Sequence, residues 1–441
     1  MILVDNNVES LQIIPPDGLA QDDLSEGLQD GDPMLLDADP GYHNDNNHED
    51  SSGSDYNSAG DNEEEEGEQD GVNWEEILEN WHPNWLGEYA RVAGPSADIP
   101  QDLNTAGEHF RLFYDDEVLD LIVTETNRYA QQYFETHPDQ ARTDYYKSWT
   151  PCTQERIKAY IAIIIHMGLS QYPRMDYHWS KTLMYNCSLC PNVMTKKEFF
   201  LLHGFLHYCD NRAANLDDKL YKVRRLFDLL SARFKRFYIP NQNLTIDERI
   251  VKYTGRLSFL QYIQNKPNLL GTKVSVVVDL TGYTYNWKVY TGRERQNLQR
   301  SNQLQEPMPQ RRSFIYPTVM ELTNNLINQN HILCFDSYYA YLDVVKELTR
   351  RRIGCIGTLN KARTFLPEAI KSPVRNMNRG DTVFRRSGNI MALVHKDKKF
   401  IRLISTVHGI QIGAGGRPNA LRDYNTWTRV EVRLMPNAFP I

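Results

Sequence analysis

Not one lysine or arginine occurs in the first 70 residues of this 441-residue chain, although they carry 21 aspartates and glutamates. Aromatic and β-branched residues are sparse there too, and the run Asp61-Asn62-Glu63-Glu64-Glu65-Glu66 repels itself. Such a stretch buries too little apolar surface to offset its ordering entropy, so residues 1–72 read as a disordered acidic arm. Cysteine is also scarce. Six thiols in 441 residues exclude a disulfide framework and favour reduced side chains in an intracellular protein. No apolar run approaches the roughly 20 residues that span a bilayer, so no membrane partner is expected. The N-terminus has no positive region, which excludes a secretory signal.

The body beyond the arm is basic. The whole chain has a net charge of -8, yet beyond residue 70 there are 36 acids against 49 bases. An acidic segment before a basic body points to nucleic-acid handling. The arm is suited to bind basic partners or to shield the basic surface, and its composition fits a solvating tail equally well.

The hydrophobic pattern changes period along the body. Between about Glu117 and Lys235 apolar residues recur at helical spacing, as in Ile157, Tyr160, Ile161, Ile164 and Ile165 after a start at Pro151, Thr153 and Glu155. After Tyr238 the period becomes that of strands. Leu244 and Ile246 alternate with polar neighbours, Val274 to Val278 form a near-continuous apolar run, and Tyr283, Tyr285, Trp287 and Val289 come after the Thr281-Gly282 turn. Pro317 opens a helix to about Asn328. Ile332 to Phe335 is a buried strand, Tyr341 to Leu348 a helix, and Ile353 to Thr358 another strand. Ile390 to Val394 and Phe400 to Val407 pair as further strands. A hairpin with alternating helices and strands after it predicts a mixed α/β core covered on both faces.

Two acids terminate or cap apolar strands: Asp247 after Leu-Thr-Ile, and Asp336 after Ile-Leu-Cys-Phe. Ligands of open α/β sheets gather at the carboxyl ends of strands. Carboxylates held there suit Mg²⁺, whereas an Asp in such a position also serves as an ordinary turn former or helix cap. Asp279 and Asp343 read as a turn starter and a helix residue.

The surroundings of these acids resemble the piggyBac transposase family. The similarity is carried by Leu244-Thr245-Ile246-Asp247-Glu248, Gly255-Arg256, Asn265-Lys266-Pro267 and Gly271-Thr272-Lys273. Upstream it includes Trp149-Thr150-Pro151, Met167-Gly168-Leu169, Trp179-Ser180 and Leu206-His207-Tyr208. Downstream it includes Val289-Tyr290-Thr291-Gly292, Asp336-Ser337-Tyr338-Tyr339, Asn360-Lys361 and Ser405-Thr406. It spans roughly residues 110–425.

This resemblance implies a ribonuclease-H-like α/β fold with a mixed sheet, an N-terminal helical domain and a β-rich insertion. It further implies nuclear DNA cleavage and strand transfer by carboxylates that bind Mg²⁺ or Mn²⁺, and it makes a homodimer an expectation. The family's first two acids fall on Asp247 and Asp336. Its third belongs to a Gly-Gly-Val-Asp segment beyond a Tyr-Asn pair. Here Tyr424-Asn425 is followed by Thr426-Trp427-Thr428-Arg429-Val430-Glu431, so Glu431 is the remaining candidate and the paired glycines are absent. No zinc module is visible, and the short C-terminal end reads as gene decay or a truncated chain.

The expected divisions are a linker at 73–112, a helical dimerisation and DNA-binding-like domain at 113–240, a catalytic core at 241–362, an insertion at 363–425 and an irregular end at 426–441. Arg256, Lys266, Lys273, Lys361 and Arg363 are the expected phosphate contacts, with Arg293, Arg295, Arg300, Arg311 and Arg312 extending the path. Arg350-Arg351-Arg352 read as complements to a helix C-terminus. Cys187 and Cys190 have metal-compatible spacing, yet Cys209 with His203 or His207 gives no convincing second ligand pair, so they read as packed thiols. Three functions are compatible with these residues: a DNA-binding remnant with an incomplete three-acid site, a competent transposase seen as a truncated chain, or an interaction adaptor.

Overall fold

The computed structural model describes residues 72–77, 80–185, 187–213, 215, 217–253, 255, 257–262, 270–292, 313–373, 377–413 and 415–434, the last six through their backbone alone. The acidic arm lies outside the described residues. The chain divides into two compact units. One contains Asp120–Ala214 and Ile250–Thr272, and the other 72–119, Asn215–Arg249 and the residues from Lys273 onward.

In chain order the first elements are short: β1 (Glu75–Glu76), β2 (Gly94–Pro95) and α1 (Ala106–Phe113). A capping box starts α1, with Thr105 accepting from the Glu108 amide and Glu108 accepting from the Thr105 amide. Residues 73–112, expected as a linker, are anchored: Trp74 Nε1 donates to the Phe365 carbonyl and Trp85 Nε1 to that of Thr406.

The helical unit holds most of α2 (Asp116–Thr136), with α3 (Pro138–Ala141), α4 (Gln154–Leu169), α5 (Leu189–Val193) and α6 (Lys196–Phe205). Thr153 caps α4, whose Ile157, Tyr160, Ile161, Ile163 and Ile164 are buried, as their helical spacing predicts. Ala130, Tyr133, Tyr146, Leu201 and Phe205 form an aromatic-rich core.

The second unit is built on a sheet. After α7 (Arg224–Arg236) come β3 (Tyr238–Ile239), β4 (Asn243–Lys252), β5 (Gln261–Tyr262), β6 (Leu270–Asp279) and β7 (Thr284–Val289), of which β5, the end of β4 and the start of β6 belong to the first unit. Next are α8 (Tyr316–Leu322), β8 (Ile332–Phe335), α9 (Leu342–Arg350) and β9 (Gly354–Thr358). Then α10 (Glu368–Lys371), β10 (Thr382–Ser387), β11 (Ile390–Lys396), β12 (Phe400–Ser405) and α11 (Asn419–Leu434) complete the described chain.

Strand order is β1-β10-β11-β12-β9-β8-β4-β6-β5, with β7 also on β6. β4, β8 and β9 are parallel, whereas β6 with β7 and β10 with β11 and β12 are antiparallel. This mixed sheet is the one expected of a ribonuclease-H-like core.

Alternate side chains of each strand face opposite layers. Leu244, Ile246, Leu333, Phe335, Cys355, Ala392, Val394 and Ile404 join Val319, Met320, Val344 and Leu348 of α8 and α9 in one core. Their neighbours Cys334, Ile356, Met391, Leu393 and Leu403 pack with Ala420 and Leu421 of α11 in the other. The sheet is therefore covered on both faces, as its continuous apolar strands require.

Two boundaries differ from expectation. The helix after Pro317 ends at Leu322 and gives way to a 3-10 turn at Asn324–Leu326, with Asn328 and Asn330 in left-handed conformations at φ 60°. Residues 426–434, expected to be irregular, continue α11. Polar threonines and arginines hide its stripe of Ala420, Leu421, Tyr424 and Trp427, which becomes stable by packing on the sheet rather than by propensity. Among the described residues no helix is long and apolar enough to cross a membrane.

Candidate functional site

Parallel pairing sets Asn243, Leu244, Thr245 and Ile246 of β4 opposite Ile332, Leu333, Cys334 and Phe335 of β8. The next residue on each side is an acid, Asp247 within β4 and Asp336 directly after β8. Adjacent strands lie about 4.8 Å apart, so this register makes the two acids neighbours.

Strand alternation also sets the face. Leu244 and Ile246 enter the core under α8 and α9, so Thr245 points away and donates its hydroxyl to the Trp427 carbonyl of α11 at 3.3 Å. Asp247 shares the side of Thr245. Asp336 shares that of Cys334, which packs with Ala420 and Leu421. Both acids thus occupy the α11 side of the sheet, Asp247 half-buried and Asp336 exposed.

Backbone amides and one buried acid hold the pair. The Tyr338 amide donates to Asp336 Oδ1 at 2.9 Å, and the Glu248 amide to Asp247 Oδ1 at 2.7 Å. Glu248 is 7% exposed. Burial raises its carboxyl pKa, and the hydrogen bond and negative charge of Asp247, with the charge of Asp336, raise it further. Lys273 opposes the shift, with Nζ 3.6 Å from Glu248 Oε1 and 4.0 Å from the centroid of the Tyr338 ring. Burial likewise raises the Tyr424 phenol of α11, and the charges of Asp336 and Asp247 add to it. Strand, loop and helix therefore converge on one negative field.

A hard divalent ion fits this donor set. Mg²⁺ takes one or two carboxylates and keeps its waters, and Asp247 and Asp336 are two carboxylates that could hold it. Burial, and after it the charges of Asp247 and Asp336, push the Glu248 carboxyl toward its neutral form beside them.

The expected basic residues have different surroundings. Lys273 is only 12% exposed at its side chain and turns toward Glu248. Arg363 stacks 3.5 Å from the centroid of Tyr341 and donates from Nη2 to the Ser337 carbonyl at 2.7 Å, bracing the loop after Asp336. Lys361 is exposed just beyond β9. Arg256, Lys266, Arg293, Arg295, Arg300, Arg311 and Arg312 lie outside the described residues. So does the side chain of Glu431. Its backbone is in α11, seven residues after Tyr424.

Two other acids are structural. Asp279 accepts from the Tyr238 hydroxyl, Asn241 and the Thr281 amide at the turn where Gly282 has φ 93°. Asp343 holds Ser313 through its amide and hydroxyl. Arg350 and Arg351 at the end of α9 both pair with Glu347.

Glu248 and Tyr424 were not singled out from sequence. Glu248 had a usable signal, because it continues the buried parity of Leu244 and Ile246. Tyr424 had one only through the Tyr-Asn pair of the resemblance, since packing alone brings α11 to the acids.

A family model described as "Transposase IS4" matches residues 105–425. The chain is 24% identical over 315 residues to human PiggyBac transposable element-derived protein 2, covering 70% of this chain and 50% of that protein. It is 29% identical over 274 residues to human PiggyBac transposable element-derived protein 3, covering 62% and 42%. The chain thus spans about half the length of these curated relatives. Its fold is similar to that of a piggyBac transposase synaptic complex with hairpin DNA solved by cryo-EM. The TM-score is 0.65 at 23% identity, covering 78% of this chain and 70% of that one. Because the matched span runs from α1 through β4 and β8 into α11, the two acids are embedded in it, and the chain belongs to the piggyBac transposase family.

Proposed function

We propose that this chain is a nuclear, transposase-derived DNA-binding protein that retains two acids of a three-acid centre and does not complete transposition. The observation that carries this reading is the pairing of Asp247 and Asp336 on adjacent parallel strands, beside α11, without the Gly-Gly-Val-Asp segment after Tyr424-Asn425. The excess of 49 bases over 36 acids beyond residue 70 supports phosphate-driven binding, as does the hairpin DNA in the related complex.

Asp247 and Asp336 would hold Mg²⁺ or Mn²⁺, and such an ion activates a water nucleophile and stabilises a phosphodiester leaving group. Lys273 holds the Glu248 carboxyl in place, and the Tyr338 amide orients Asp336. Arg363 fixes the loop that carries Asp336, and Lys361 is exposed to meet a phosphate. Two carboxylates supply too little charge and too few ligands for the two ions of in-line strand displacement.

Salt-titrated binding to duplex DNA tests the first half of the reading. Affinity should fall steeply and linearly on a log–log plot as salt rises, by the number of phosphates neutralised. Negligible binding at low salt would favour an interaction adaptor. A plasmid excision assay with matched terminal repeats tests the second half, and efficient excision would overturn it.

One observation favours a second reading, a competent centre. The backbone at Glu431 continues α11, the helix that bears Tyr424 and Trp427. In that case Mn²⁺-dependent nicking of end DNA appears in the native chain and disappears in Glu431→Gln.

A further inference from the structure

The helical unit contains a second group of metal-binding side chains that the transposase reading does not use. His166 lies in the last turn of α4, His178 in the 3-10 helix Met175–Trp179, and Cys187 and Cys190 flank the start of α5. One ligand atom from each lies within 4.8 Å of all the others. The sequence spacing is His-x11-His-x8-Cys-x2-Cys. The Cys-x2-Cys half was visible from sequence, but its partners were not Cys209, His203 or His207. Folding supplies His166 and His178 instead.

We propose that His166, His178, Cys187 and Cys190 form a structural zinc site that clips the end of α4 to the segment between residues 175 and 193.

The donor set is two thiolates and two imidazoles, which with Zn²⁺ is electrically neutral. A neutral centre can be buried without an unpaired charge, and His178, Cys187 and Cys190 are 2%, 8% and 0% exposed. As the ion binds, both thiol protons leave to solvent and both histidines coordinate as neutral rings. In a tetrahedral zinc centre with Zn–N of about 2.0–2.1 Å and Zn–S of about 2.3 Å, ligand atoms stand about 3.3–3.8 Å apart. His166 Nε2 and Cys187 Sγ are already 3.2 Å apart, and the full set needs only a small contraction. Four protein ligands leave no open position, which makes the site structural rather than catalytic.

Two further observations point the same way. His178 Nδ1 is buried with no hydrogen-bond partner, an orphaned polar atom of the kind that native interiors rarely keep. The segment, moreover, has little apolar anchorage of its own. Leu183 is 95% exposed and Met184 79%, and Leu189 and Val193 also face solvent, whereas the side chains it buries include three of the four ligands. A stretch of 3-10 turns and one five-residue helix cannot hold itself by hydrophobic burial, and a metal clip replaces the missing core.

The test uses the full chain, purified under reducing conditions, with zinc measured by mass spectrometry of the elements. One zinc per chain should survive desalting, and the Cys187→Ser/Cys190→Ser double variant should lose it. Cys209→Ser and Cys355→Ser should keep it. Cobalt exchange of the native chain should give a thiolate-to-metal charge-transfer band, which carboxylates such as Asp247 and Asp336 cannot produce. Zinc content equal to that of the double variant would overturn the proposal. So would a Cys187–Cys190 disulfide in non-reduced peptides, or a cobalt spectrum without the thiolate band. The cobalt measurement needs no variant, so misfolding of the double variant does not leave the question open.

Discussion

Thr245 of β4 donates its hydroxyl to the backbone carbonyl of Trp427 in α11, joining residues 182 positions apart on the same side of the sheet as Asp247. This contact makes the C-terminal helix part of the acidic site rather than a loose end.

The first consequence concerns stability. Leu421 is 2% exposed and packs under Met391, Leu393 and Leu403. Leu421→Ala should cost about 2–5 kcal/mol by removing buried methyls and leaving a cavity. Chemical denaturation followed by tryptophan fluorescence measures it. A loss no larger than that of an exposed leucine substitution such as Leu183→Ala would refute the packing of α11.

Metal binding should show as a stability shift. Addition of Mn²⁺ at about 100 times its dissociation constant stabilises a folded protein by about 2.7 kcal/mol, which raises Tm by a few degrees. Asp247→Asn and Asp336→Asn should each abolish that rise. Without metal, Asp247→Asn should be as stable as the native chain or more so, because Glu248 loses a negative neighbour. Paired melting curves with and without Mn²⁺ check both statements.

A third test concerns Arg233, 8% exposed, which grips Asp115 through Nε and Nη2 and reaches Glu117 with Nη2 at 2.9 Å. Arg233→Ala should destabilise by about 2–4 kcal/mol, since the buried fork loses several charged hydrogen bonds at once. Arg233→Lys should recover little, because an ammonium cannot reproduce the planar two-pronged contact. Recovery to native stability in the lysine variant would show that charge alone suffices.

Acid should weaken the fold through its buried histidines. Burial lowers the pKa of His331, which is 0% exposed, to about 4. In the unfolded chain the same ring titrates near 6.5, so between these values the unfolded state binds a proton that the folded state refuses. The stabilising contribution is complete above about pH 6.5 and is lost as pH falls to about 4, a few kcal/mol for this one ring. Melting temperatures from pH 7 to 4 should fall, and His331→Asn should flatten the curve. An unchanged slope in that variant would assign the acid sensitivity elsewhere.

Much of this molecule was legible in its sequence. The apolar runs at 244–246, 274–278 and 332–335 alternate or persist as strands must, and the stripe of Ile157, Tyr160, Ile161 and Ile164 makes a helix wherever it is placed. The same local pattern marked Asp247 and Asp336, because an acid after an apolar run stands out against its neighbours, although β4 continues past Asp247 to Lys252 instead of ending there. What the sequence could not contain was distance. Parallel register between strands 89 residues apart decides that the two acids are adjacent, and packing of a polar-looking helix decides that Tyr424 and Trp427 lie beside them. Only the fold brings His166 and His178 to Cys187 and Cys190. Local periodicity is set by neighbours along the chain, whereas a site is made by groups that meet only after the core has closed.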